Sequence, residues 1–143
     1  MTTPPAALAR HTGFLLAWVA AESSDTYARA IGEAGFTPTQ HGVLTLLDAD
    51  GPQVQARLSE RLDVFKPAMV GVVTALERAG WAQRRPHPTD GRAVEVHITD
   101  RGREALRDAY ERAQAATDDV LGVLADDERD TLHALLAKVA AAR

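Results

Sequence analysis

The side chains best suited to chemistry in this sequence are arginines and lysines, and they concentrate in the middle of the chain. The stretch 57–103 holds nine Lys or Arg and six Asp or Glu residues, whereas the rest of the chain holds seven basic and fourteen acidic ones. A segment of net charge +3 therefore lies within a chain of net charge −4. Cationic side chains bind phosphate, so this distribution permits contact with nucleic acid. An ordinary solvated surface would show the same charges, so charge alone does not decide the function.

The other chemically capable residues do not form a recognisable catalytic or metal-binding pattern. The sequence contains no HExxH pair, no glycine-rich phosphate loop and no local nucleophile motif. It also lacks cysteine, which excludes a disulfide framework and a thiolate zinc site in this chain. His87 and Asp90 could share a metal, but Pro88 between them favours a turn. We therefore expect no catalytic residue, no metal site and no cofactor. No catalytic constellation is apparent among the five histidines, which are His11, His41, His87, His97 and His133.

Length and hydropathy bound the class of protein. A chain of 143 residues with 45% hydrophobic content can bury one core, so we expect a single domain over residues 1–143. No basic stretch is followed by a long apolar run, and no uninterrupted apolar segment reaches about 18 residues. The expectation is a cytoplasmic protein that does not contact a membrane.

Helix signals predict four helices in the first half of the chain. The first covers about residues 7–32. The second begins with Thr37 as N-cap, Pro38 at the first helical position and Gln40 three residues after the cap. A short third helix carries apolar residues at four-residue steps over 54–62. The fourth opens at Pro67, with Ala68, Val72, Val73 and Leu76 on its inner face, and is closed by a glycine C-cap at position 80.

After Trp81 the hydrophobic period changes from helical to alternating. Residues 94–98 read as a strand that pairs with 81–85 across a turn rich in proline, aspartate and glycine. Thr99 then caps a long fifth helix, and Asp126 or a neighbour caps a sixth. The predicted fold class is mainly α with a small β-hairpin wing (α+β), a winged helix-turn-helix flanked by N- and C-terminal helices. Such a module places its second short helix in the major groove of DNA.

A series of short motifs in this order resembles the multiple antibiotic resistance regulator (MarR) family. The motifs are Thr37-Pro38-Thr39-Gln40, Leu58-Ser59-Glu60-Arg61-Leu62, Leu76-Glu77-Arg78-Ala79-Gly80-Trp81, Arg84-Arg85, Asp90-Gly91-Arg92 and Ile98-Thr99-Asp100-Arg101-Gly102. The resemblance implies dimerisation helices over about 1–36 and 100–143 and a winged helix-turn-helix over about 37–99. It further implies a homodimeric, ligand-responsive repressor that binds a pseudo-palindromic operator in double-stranded DNA. The implied effector is a small aromatic or anionic molecule.

The resemblance also implies roles for individual residues. Arg92 would enter the minor groove with Asp90 orienting it, while Arg57, Arg84 and Arg85 would contact phosphates. An effector would contact Trp18, His41 and Arg85, whereas the residues taken alone favour ordinary core or surface positions for all three. The fourth helix would supply the remaining DNA contacts from Lys66, Ala68, Met69, Val70, Gly71 and Thr74.

That fourth helix departs from the family pattern, because relatives commonly carry Ser, Thr or Arg where this chain is apolar. Apolar side chains contact thymine methyl groups but cannot form the bidentate hydrogen bonds that discriminate bases. Phe65 also replaces the expected capping residue. These departures keep an alternative open: a MarR-like dimeric module that binds a ligand or a protein and recognises DNA weakly or without sequence preference.

Overall fold

The computed structural model describes residues 3–142, which form six helices and a small sheet. In chain order the elements are α1 (Thr12–Glu33), α2 (Pro38–Asp50), β1 (Gln53–Val54), α3 (Gln55–Arg61), α4 (Lys66–Arg78), β2 (Ala82–Pro86), β3 (Val94–Ile98), α5 (Asp100–Leu121) and α6 (Asp126–Ala141). This order confirms the predicted fold class. The residues fall into two compact units: a helical unit of residues 3–27 and 114–142, and a winged unit of residues 28–113. The predicted functional division near residues 36 and 100 stays a prediction.

The sheet of the winged unit has three antiparallel strands in the order β1-β3-β2. The hairpin of β2 and β3 pairs Ala82 with Ile98 at one end and Pro86 with Val94 at the other. The prediction missed β1, in which Val54 pairs with Glu95. Val54 was expected to lie in the third helix, but its backbone is extended at φ −62° and ψ 133°. The β-branched side chain favours that conformation, and α3 begins one residue later.

The helix caps explain why most predicted boundaries are correct. Thr37 and Gln40 form a reciprocal capping box, with the Gln40 N–H donating to Thr37 Oγ1 at 3.2 Å and the Thr37 N–H donating to Gln40 Oε1 at 2.9 Å. Gly80 has φ 75°, and the Trp81 N–H reaches back to the Leu76 carbonyl at 2.9 Å, which closes α4. At the start of α5, Thr99 Oγ1 accepts the Gly102 N–H at 3.0 Å. These three predictions are confirmed.

The start of α1 differs from expectation, and the start of α6 is capped in an unexpected way. Helix α1 begins at Thr12 rather than near Ala7, because the preceding residues form a turn in which Pro5 O accepts the N–H of Leu8 and of Ala9. Helix α6 begins at Asp126 with its neighbour Ala125 as N-cap, as the prediction allowed, but Ala125 offers no side-chain oxygen. Glu128 Oε2 instead accepts the Ala125 N–H at 2.9 Å, so half of a capping box remains.

The core of the winged unit is assembled from all of its helices and from the sheet. Fully buried side chains include Ile31, Val43, Leu44, Leu47, Leu58, Met69, Val73, Leu76 and Val96. One prediction about α4 was wrong. Met69 is 0% exposed and lies in the core, whereas Ala68 is exposed and Val72 is half-buried. Residues 69, 73 and 76 follow a helical period, and this phase turns Met69 inward.

The helical unit is built differently, because none of its described residues is buried. Its helices carry exposed large apolar side chains, including Leu16, Leu135, Leu136 and Val139. They also line an open apolar cavity of about 570 Å³. An ion pair between Arg129 and Asp118, with a nitrogen–oxygen distance of 3.0 Å, links α5 and α6. This unit therefore lacks a closed core within one chain.

Candidate nucleic-acid interface

The outward face of α4 is apolar at the positions where a recognition helix meets base edges. Phe65, immediately before the helix, is 77% exposed and forms no side-chain cap. Val70 is 47% exposed, and Ala68 and Gly71 are exposed as well. A Cβ added at Gly71 would meet nothing within 4 Å, so the helix backbone is open to approach there. Lys66 is exposed and contributes a positive charge at the start of this face.

Two residues predicted to contact DNA from α4 are used inside the protein instead. Met69 belongs to the core, so its side chain does not reach a groove. The Thr74 hydroxyl donates to the Val70 carbonyl at 2.8 Å and accepts from Arg84 Nη1 at 3.2 Å. A hydroxyl engaged in this way has no second proton to donate to a base.

Arg84 ties the wing strand β2 to helices α3 and α4. Its Nη1 lies 2.7 Å from Glu77 Oε2, its Nε donates to Gln55 Oε1 at 3.0 Å, and its Nη2 donates to the Val70 carbonyl at 2.8 Å. The Arg84 backbone N–H also donates to Glu77 Oε1 at 2.7 Å. The predicted role in phosphate binding is therefore corrected, because all three guanidinium nitrogens already have partners within the chain. Sequence reasoning missed Gln55 and Glu77, since no local pattern pairs residues so far apart.

The tip of the wing, residues 87–93, is shaped by short hydrogen bonds. Asp90 Oδ1 accepts the Arg92 backbone N–H at 3.0 Å, and His87 Nδ1 accepts the N–H of Thr89 at 3.2 Å and of Asp90 at 3.1 Å. Asp90 therefore acts on Arg92 through the backbone. Within the described residues the Arg92 guanidinium has no ion pair, and the residue is exposed. The turn thus presents an unpaired cation at the wing tip.

Two more predicted phosphate contacts remain exposed at the surface. Arg85 follows Arg84 on β2, and within residues 3–142 its side chain donates to Gln83 Oε1, at 3.1 Å. Arg57 lies beside a polar cavity of about 460 Å³ that also touches His87 of the wing tip. Its neighbour Arg61 is engaged with Asp50 Oδ2 at 2.7 Å. In the part of the chain that the structure describes, Arg57 has no such acidic partner, so its charge is available to an external anion.

The three residues assigned to an effector lie on different elements. Trp18 belongs to the helical unit, where its ring lies 5.6 Å from that of Phe14. His41 and Arg85 belong to α2 and β2 of the winged unit. Burial lowers the pKa of His41 below its ordinary value, and its ring meets that of Phe36 edge-on. Trp18 does not line the 570 Å³ cavity, which is bounded by residues that sequence reasoning did not single out, among them Tyr27, Arg129 and His133.

Among residues 3–142, no helix is long and apolar enough to cross a bilayer. No cluster of three or more His, Cys, Asp or Glu side chains in this range has an arrangement that could hold a metal ion.

Helices α3 and α4 with the adjoining hairpin define a winged helix-turn-helix protein, and comparison with known proteins identifies the family. The MarR family model matches residues 36–94. Over 106 residues the chain is 37% identical to the uncharacterized HTH-type transcriptional regulator YkoM of Bacillus subtilis (strain 168), an alignment that covers 74% of this chain and 69% of YkoM. The chain therefore belongs to the MarR family of helix-turn-helix transcriptional regulators, as its motifs predicted.

Solved structures that resemble this chain include complexes with DNA. The transcriptional repressor CouR bound to a 23-mer DNA duplex has a TM-score of 0.82 and 28% identity, covering 98% of this chain and 99% of CouR. A mutant of MarR from E. coli complexed with operator DNA has a TM-score of 0.73 and 26% identity, covering 89% of this chain and 91% of that one. These neighbours support the fold class and the family.

Proposed function

We propose that this chain is a homodimeric, ligand-responsive repressor that binds pseudo-palindromic duplex DNA in the cytoplasm. The observation that carries the DNA-binding part is the Arg92 guanidinium, which is exposed at the wing tip without an acidic partner among the described residues. An arginine in this position suits a narrow minor groove, where the negative potential is enhanced. Lys66, Arg57 and Arg85 are exposed in the same unit and suit phosphate contacts.

The proposal of a dimer is supported by the helical unit, whose described residues form no closed core. None of its described side chains is buried, although Leu135 is 57% exposed, Leu136 48% and Val139 56%. An exposed apolar stripe of this kind favours a self-complementary contact with a second copy. A two-fold dimer presents two winged units, so its target would contain two half-sites about 34–36 Å apart, one helical turn of DNA.

The effector is the part of the proposal that depends most on relatives. Many MarR-like proteins respond to small aromatic or anionic molecules, and Trp18, His41 and Arg85 are the proposed contacts in this chain. The direct test adds benzoate, a simple aromatic carboxylate, to a protein–DNA complex and measures release of the duplex. Release in the wild type that is reduced in Arg85→Ala supports this assignment. Equal release from both proteins contradicts a contact by Arg85.

The experiment that tests the core of the proposal selects bound duplexes from a random library with the purified protein. An inverted repeat among the winners, bound by two chains per duplex, is the expected result. Repression is then measured with a reporter whose promoter carries that repeat, where co-expression of the chain should lower the signal.

The exposed apolar surface of α4 favours the second candidate, a dimeric module that binds a ligand or a protein. Phe65 and Val70 offer area for a protein partner, and such a contact would respond weakly to salt. Selection that enriches no sequence, together with salt-insensitive binding, would favour this candidate over the repressor.

A further inference from the structure

The surface that α4 offers to a major groove is almost devoid of free hydrogen-bonding groups. Across residues 65–71 the exposed side chains are those of Phe65, Lys66, Pro67, Ala68 and Val70, and Lys66 alone among them is polar. Further along the helix, the Thr74 hydroxyl is held by Arg84 and by a backbone carbonyl. The Glu77 carboxylate is likewise held by Arg84. At the start of α4, hydrogen bonding to bases is therefore left to Lys66, and the next exposed cation of the helix is Arg78 in its last turn.

The major groove presents one apolar group, the 5-methyl of thymine, and otherwise presents hydrogen-bond donors and acceptors. An apolar side chain pressed against a donor or an acceptor would remove water without replacing its hydrogen bond, which is unfavourable. The same side chain pressed against a methyl group buries apolar area on both partners, which is favourable. An apolar helix face in the groove thus discriminates between bases through their methyl groups.

We propose that Phe65 and Val70, the exposed large apolar side chains at the start of α4, recognise thymine methyl groups, so that the preferred half-site is rich in thymine where α4 lies. This inference rests on the proposed DNA-binding function and adds the chemistry by which bases are read. The cations Arg57, Lys66, Arg85 and Arg92 are exposed in the same unit, and their charge complements phosphate, which favours DNA over a protein as the occupant. Gly71 adds room for close approach, because no atom lies within 4 Å of the position its Cβ would take.

The test replaces thymine by deoxyuridine, which keeps base pairing and removes only the 5-methyl group. Each thymine of the selected duplex is replaced singly, and dissociation constants are measured for the dimeric wild-type protein. Loss of one buried methyl should weaken binding about fourfold, equivalent to roughly 0.8 kcal/mol. The effect should be confined to a few positions in each half-site, and replacements elsewhere in the duplex serve as the matched control.

Two protein variants assign the effect to α4. Val70→Thr keeps the shape of the side chain and exchanges a methyl for a hydroxyl, so it should reduce the thymine-to-uracil ratio at one position per half-site. Val123→Thr makes the same exchange at a valine that is 88% exposed in the helical unit, and it should keep the wild-type ratios.

The possible results separate this inference from the function on which it rests. Position-specific loss with deoxyuridine, diminished in Val70→Thr, supports reading of methyl groups. A selected duplex that binds equally well with and without its methyl groups overturns the inference and leaves DNA binding intact. Failure to enrich any duplex overturns both, and points to a protein as the partner of the apolar face.

Discussion

The two units of this chain differ in how much of their apolar surface they bury. The winged unit encloses a core in which Leu44, Leu58 and Leu76 are completely buried. The helical unit carries exposed apolar side chains and buries none of its described residues, and Leu16 remains 53% exposed. The winged unit therefore has a closed core within a single chain, whereas the described residues of the helical unit do not form one.

The contacts of Arg84 and of Arg129 show the same difference, because those in the winged unit are the less exposed. In the winged unit the Arg84 side chain is 24% exposed and joins three elements through several hydrogen bonds. In the helical unit the Arg129–Asp118 pair joins two elements, and its carboxylate is 52% exposed. Partly buried contacts fix geometry more strongly than exposed ones, which are weakened by solvent and salt. The contacts of Arg84 should therefore fix the winged unit more strongly than the Arg129–Asp118 pair fixes the helical unit.

The largest effect is expected from the core of the winged unit. Leu44→Ala should lower the free energy of unfolding by about 2–5 kcal/mol, because it leaves a cavity at a fully buried position. Urea denaturation followed by circular dichroism measures the change. Leu8→Ala, at a residue 45% exposed before α1, is the matched control and should change stability far less. Equal losses from both variants would contradict the contrast between a closed core and an exposed surface.

The helical unit is tested by its capacity to assemble. Leu136→Lys places a charge in the apolar stripe of α6 and should weaken the dimer by about 2–4 kcal/mol, or about 30- to 1,000-fold in the dissociation constant. Sedimentation velocity at micromolar concentration should then show monomers. Ala134→Lys, which adds the same charge on the opposite side of α6, should remain dimeric. A dimeric Leu136→Lys protein would mean that the stripe is not the interface.

A smaller effect on stability is expected from the Arg84–Glu77 ion pair, which links the wing to α4. Arg84→Met should destabilise the fold by about 1–2 kcal/mol, less than for a fully buried pair because Arg84 and Glu77 are partly exposed. Denaturation of Arg84→Met, Glu77→Gln and the double variant measures their coupling directly. Additive losses would show that the two side chains do not stabilise each other. Arg85→Met, at the exposed neighbour on β2, controls for loss of positive charge alone.

The smallest effect is expected on the pH dependence of the free energy of unfolding. Burial lowers the pKa of His41 in the folded chain, so between that value and the ordinary 6.5 the unfolded chain binds more protons. The free energy of unfolding should therefore fall as the pH decreases from 6.5 through the folded pKa, and then become independent of this residue. Denaturation at several pH values should show a weaker dependence in His41→Gln, while His11→Gln, at an exposed position, should follow the wild type. An unchanged dependence in His41→Gln would contradict this assignment.

The sequence predicted what depends on local chemistry and missed what depends on distant partners. The caps at Thr37 and Gly80 were correct because their signals lie within a few residues of the helix end. The sequence prediction was wrong about which side of α4 packs into the core, since it placed Met69 outside. Because almost every residue of this helix is apolar, several of its sides could face the core, and tertiary packing selects one of them. The role of Arg84 was also wrong, since its partners Gln55 and Glu77 meet it only after the wing folds against α3 and α4. At the wing tip, the pairing of Asp90 with the Arg92 backbone follows from a two-residue spacing and lies within reach of sequence reasoning.

In the proposed function, the winged unit binds duplex DNA through exposed cations that have no acidic partner among residues 3–142. Affinity for the selected duplex is therefore measured between about 50 and 200 mM salt, for the wild type, Arg92→Ala and Arg10→Ala. Wild-type affinity should fall steeply with salt. Arg92→Ala should bind more weakly with a slope smaller by about one, while Arg10→Ala, at an exposed arginine in the helical unit, should match the wild type. Affinity that does not change with salt, or equal losses in both variants, would mean that these cations do not hold the duplex.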